Sequence, residues 1–89
     1  MTRRSVPTKK LAEDRYHWRV DIEVPPDGLG PRLNAMHDWC RERKVDWAQH
    51  GYLEAMRDFA RFYFMAEAAA VAFRERWGGE VMLQAVGSV

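Results

Sequence analysis

The chain has one cysteine, no apolar run longer than Ala68–Phe73, and no acidic residue among its first ten positions. Each shortage excludes something. A lone Cys40 cannot close an internal disulfide, which suits a reducing compartment, and the expected location is cytoplasmic. An apolar run of six residues is far too short to span a bilayer, and none of secretory length follows the charged N-terminus, so neither membrane insertion nor export is expected. Arg3, Arg4, Lys9 and Lys10 place four positive charges on the acid-free segment, leaving ten basic against 13 acidic residues in the remainder of a chain whose net charge is +1. A mildly acidic body has no general attraction for phosphate backbones. Residues 1–14, with Ser5, Pro7 and Thr8, are expected to form a flexible basic arm, and residues 15–87 a single domain.

Motifs of cofactor and metal chemistry are equally scarce. His37 and Cys40 stand three apart on an expected helix, but no second ligand pair follows at zinc-site spacing. Gly28 and Gly30 lack the third glycine or the lysine-serine pair that a phosphate cradle requires. His17 and His50 have the chemistry of general bases, yet no nucleophile, carboxylate pair or cofactor motif accompanies them. The expectation is a protein without cofactor or metal, and non-catalytic rather than enzymatic.

What the sequence does have is apolar residues, 47% of 89, including four tryptophans and four phenylalanines, enough for a core of its own. Trp18, Val20, Ile22 and Val24 alternate with His17, Arg19, Asp21 and Glu23, the period of a half-buried strand over Tyr16–Val24. Pro25-Pro26-Asp27-Gly28 ends it. A helix is predicted from about Pro31 to Lys44, with Leu33, Met36 and Cys40 on its apolar stripe. Trp47–Leu53 reads as a short second strand, with the hairpin connection near Arg57 and Asp58. In the third strand Ala60, Phe62 and Phe64 face inward while Phe59, Arg61 and Tyr63 face out, because an unpaired buried arginine would cost several kcal/mol. From Ala66 to Trp77 the period becomes helical, with Gly78 as a left-handed cap. Val81–Val86 forms a last strand, and residues 87–89 fray.

That order, strand-helix-strand-strand-helix-strand, predicts an α+β fold of ferredoxin-like βαββαβ type, a four-stranded antiparallel sheet with both helices on one face. The opposite face is then open. It would present Arg19, His50, Tyr52, Arg57, Phe59, Arg61 and Tyr63, types enriched at interface centres, and these are the candidate interaction residues. The expected function is a small interaction or regulatory module pairing through that face with itself or with another protein.

Two resemblances supply alternatives. Arg57, Phe59, Ala60 and Phe64 match the octamer of the RNA-recognition motif, although Asp58 replaces its glycine and Arg61 its second stacking aromatic. The resemblance implies single-stranded nucleic-acid binding, with Phe59 stacking on a base and Arg57 meeting phosphate. Pro26-Asp27-Gly28-Leu29 followed by Leu33 resembles the turn of ACT domains, which implies a small ligand held between paired subunits. A small dimeric enzyme using His17 or His50 is the remaining alternative.

Overall fold

Alternation along the strands gives the molecule two unlike sheet faces. The computed structural model describes residues 9–84. β1 (Trp18–Glu23) sends Val20 and Ile22 to one side and Arg19, Asp21 and Glu23 to the other. A Pro-Pro turn leads to α2 (Pro31–Arg43), which starts with proline in its first turn, where the missing N–H costs nothing. It stops at Lys44, in a left-handed conformation (φ 55°), whose N–H donates to the Arg41 carbonyl at 3.1 Å.

β2 (Trp47–Glu54) and β3 (Arg57–Phe64) pair antiparallel through a two-residue turn. The connection is therefore Ala55-Met56, and Arg57 and Asp58 already belong to the strand. Both turn residues have positive φ, 51° and 63°. Tight hairpins want this geometry, normally supplied by Asn-Gly, because it matches the twist of the strands. For alanine and methionine it costs about 1–2 kcal/mol each. Replacing the pair by Ala55→Asn with Met56→Gly should raise the unfolding free energy by about 1–3 kcal/mol, measurable as a shifted urea midpoint with unchanged slope.

α3 (Glu67–Trp77) carries an acid in its first turn and Arg74 and Arg76 in its last, both favourable to the helix dipole. Gly78 ends it with φ 91° and ψ −164°, an extended conformation reserved for glycine instead of the expected left-handed helical one. β4 (Glu80–Leu83) follows; the continuation expected through Ala85 and Val86, and the fraying of 87–89, lie outside the described residues.

The sheet order is β2-β3-β1-β4, every neighbouring pair antiparallel, with β1 and β3 in the middle and β2 and β4 at the edges. The fold is thus α+β. α2 and α3 both pack on the face bearing Val20, Ile22, Trp47, Ala60, Phe62 and Phe64, contributing Met36 and Cys40 from one and Ala70 and Phe73 from the other. The small Ala69 and Ala70 let α3 approach closely enough for Phe73 to meet Phe62 at 4.5 Å and Phe64 at 5.3 Å between ring centroids.

The end of the expected flexible arm, residues 9–14, is instead ordered into a helix. Lys9–Arg15 forms a helix, α1, lying on the second sheet face. Ala12 and Tyr16 are buried there against Ala48 and Tyr63. Tyr16 therefore closes α1 instead of opening the first strand. Residues 1–8 lie outside the described part. The sequence hid this helix because one alanine and one tyrosine make too narrow an apolar stripe to signal amphipathic periodicity among so many charges.

Candidate functional site

Register determines which side chains meet on the second face. Tyr63 pairs with Ala48 and Arg19, Arg61 with His50 and Asp21, and Phe59 with Tyr52 and Glu23. β4 adds Met82 beside Arg19 and Glu80 beside Asp21. All seven candidate interaction residues belong to this face, but among the described residues α1 covers one half of it and leaves the other uncovered.

The covered half lies under α1. Tyr63, expected to face outward and remain partly exposed, is completely buried. Its hydroxyl makes no hydrogen bond among the described residues. Burial pushes the phenol pKa up, against the opposing pull of the Arg61 charge. Three polar contacts hold α1 and the residue after it: Arg15 Nη2 donates to Asp46 Oδ2 at 2.9 Å, Tyr16 Oη donates to Asp46 Oδ1 at 2.7 Å, and Gln84 Nε2 donates to the Tyr16 carbonyl at 2.7 Å. Tyr63 is withdrawn from the candidate contact surface for this reason.

Arg61 points away from α2 and α3, as the strand period predicts, but contrary to an open contact position it is only 4% exposed. Its guanidinium makes a two-pronged bond to Asp21, 2.7 Å from Nε and 3.1 Å from Nη2, and lies 3.7 Å over the Tyr52 ring. Burial works against the charge, yet the bonds Arg61 donates to Asp21 and the negative charge of that carboxylate outweigh it and hold the guanidinium pKa above its ordinary value. Arg61 is a structural strut of the face, supporting Tyr52 from beneath, and is not free to reach a partner.

Arg57 is exposed but engaged. Nη2 and Nε donate to the two carboxylate oxygens of Glu23 at 2.6 and 3.1 Å, and the guanidinium sits 5.2 Å from the Phe59 ring centroid. The hydrogen bonds from Arg57 lower the Glu23 carboxyl below its usual range. Arg19 reaches Met82 Sδ at 3.4 Å and stands 3.9 Å from Asp21, while its buried Nε has no hydrogen-bond partner among the described residues. Together with Glu54, Glu80 and Phe59 these residues line a polar hollow of about 290 Å³. Three arginines there face Asp21, Glu54 and Glu80, and Glu23 holds Arg57 beside it, so the surface has mixed sign, not a cationic track.

The two histidines do not converge. His50 sits edge-on to Tyr63 at 6.0 Å, in the row of Arg61. His17 lies beyond the Trp18–Phe64 row, two strands and several residues away, which strand geometry converts to roughly 15 Å. His37 shares a hydrogen bond of 3.1 Å with Gln49 and meets Trp47 at 5.1 Å, while Cys40 is buried in the core. No group of three or more metal-ligating side chains occurs among the described residues. No helix there is long and apolar enough to cross a membrane.

The sequence period places Asp21 and Glu23 on this face as polar alternates of β1, but that they neutralise Arg61 and Arg57 follows only from a register fixed by strands some forty residues apart in the chain. Glu54, Glu80 and Met82 enter through the edge strands, whose lateral order no local pattern encodes. Comparison with protein-family models, curated proteins and solved structures found no match.

Proposed function

We propose that this chain is a small, non-catalytic interaction module of ferredoxin-like type that binds a protein through the uncovered half of its second sheet face. The order strand-helix-strand-strand-helix-strand that follows α1, the lateral order β2-β3-β1-β4, and α2 and α3 sharing one face all support the fold part of that reading. The observation that carries the functional part is the composition of the uncovered half. Half-buried Phe59 and Tyr52, 6.3 Å apart, are set among ion pairs whose charges are already matched. Aromatic anchors held in place by their neighbours and ringed by paired charge give affinity without a large ordering cost, which is how interface centres work.

The same pairing argues against the nucleic-acid alternative. Phosphate binding needs cations free to replace counterions, and the arginine that the RNA-recognition motif would direct at phosphate is held by Glu23. The variant Phe59→Ala with Arg57→Ala should retain the parent far-ultraviolet dichroism, since both side chains lie at the surface of the sheet. It should lose at least tenfold in partner affinity, as hot-spot truncation does. Partner recovery equal to that of the parent protein would refute the assignment.

A further inference from the structure

β2 is an edge strand eight residues long, and from Trp47 to Leu53 it carries no charged side chain. Edges of this length are usually blunted by lysine, proline or a bulge, because their outward backbone groups recruit other strands. The phase of those groups is fixed by the hydrogen bonds at the ends of the neighbouring ladders. Met65 N–H donates to the Asp46 carbonyl, and Val24 N–H donates to the Asp58 carbonyl. In β3, odd residues therefore bond toward β2 and even ones toward β1; in β2, even residues bond inward. The N–H and C=O groups of Trp47, Gln49, Gly51 and Leu53 point away from the sheet.

We propose that β2 pairs antiparallel with β2 of a second copy of this chain, about a two-fold axis through His50 and normal to the sheet. In an antiparallel pair, opposed residues share a face, so a symmetric pairing must centre on a residue. Centring on His50 joins the outward groups of Gln49 to Gly51 of the second copy and those of Trp47 to Leu53. Leu53, which is 66% exposed, then lies beside the indole of Trp47, and Gly51 has no atom within 4 Å of a built Cβ that would obstruct the approach. Asp46 then falls opposite Glu54 of the second copy, a like-charge contact that Arg15, bound to Asp46 at 2.9 Å on that same face, offsets. Centring on Gly51 instead would leave Leu53 opposite Gln49, without that apolar contact. The other edge offers no equivalent, since β4 has only four residues and begins with a glutamate.

This pairing joins two four-stranded sheets side by side and leaves the contact face of each copy free on the same side, so it stands whether or not that face binds a partner. Sedimentation of the full chain at micromolar to 100 µM concentrations should give twice the monomer mass of 10.4 kDa. Gly51→Lys, tolerated at an open position, and Leu53→Pro, which deletes an outward donor, should each weaken association at least tenfold while Phe59→Ala leaves it unchanged. His50→Cys should form a disulfide-linked dimer under mild oxidation, because opposed non-hydrogen-bonded residues lie about 4.5 Å apart at Cα. Gly51→Cys, which has Gln49 opposite it, should crosslink far less. A monomer throughout the range, or a dimer indifferent to both edge variants, or equal crosslinking at positions 50 and 51, would overturn the proposal.

Discussion

Replacing Gly79 by alanine is expected to remove about 2–5 kcal/mol of stability, the sum of a strained backbone and an overfilled contact. Gly79 joins α3 to β4 with φ 94°, a conformation L-residues rarely adopt. It also passes so close to β1 that an added Cβ would stand 2.5 Å from Ile22 Cδ1, 2.7 Å from the Asp21 carbonyl oxygen and 3.0 Å from Val20 Cγ1. The Asp21 carbonyl is backbone of a central strand and cannot move aside without breaking its ladder. Gly78 provides the control: its φ is 91°, but nothing lies within 4 Å of its Cβ position. Gly78→Ala should therefore cost the strain alone, about 1–3 kcal/mol, and denaturant titration of both variants separates strain from collision. Equal losses would show that the α3–β4 connection does not approach β1 as described.

The second large effect concerns the buried pair under Tyr52. Asp21→Ala should cost about 3–5 kcal/mol, because Arg61 stays charged at any accessible pH and would be left buried without its counterion. Exchanging both partners for apolar groups of similar volume, Asp21→Leu with Arg61→Met, should recover most of that loss, since it removes the desolvation cost together with the attraction. A double-mutant cycle by chemical denaturation measures the coupling directly. An Asp21→Ala loss under 1 kcal/mol would mean that Arg61 reaches water and that the pair does not support the face.

Legibility in the sequence followed the range of the interaction responsible. The four strands and α2 and α3 were readable because each repeats its apolar residues at its own period within a window of about ten residues, as Val20 and Ile22 or Ala60, Phe62 and Phe64 do. The outward phase of Arg61 was readable from the cost of burying charge. Its actual burial was not, because the carboxylate that makes burial tolerable sits forty residues away. The hairpin is legible only as a connection near Arg57, where the strand period begins; its turn residues are not, because Ala-Met carries none of the usual signals for a turn with two positive φ angles. α1 escaped because its anchorage is tertiary, through Ala12, Tyr16 and Asp46, and because its charges read as a solvated tail. That one helix halves the open face and changes which candidate residues are available.

The proposed docking surface for a protein is the half of the second face that α1 leaves uncovered. Incorporating a photoreactive phenylalanine analogue at Phe59, and separately at exposed Glu75 on α3, and irradiating the protein with its partner tests this most directly. A crosslinked adduct is expected from position 59 and none from position 75; adducts from 75 alone, or equally from both, would contradict docking at this face.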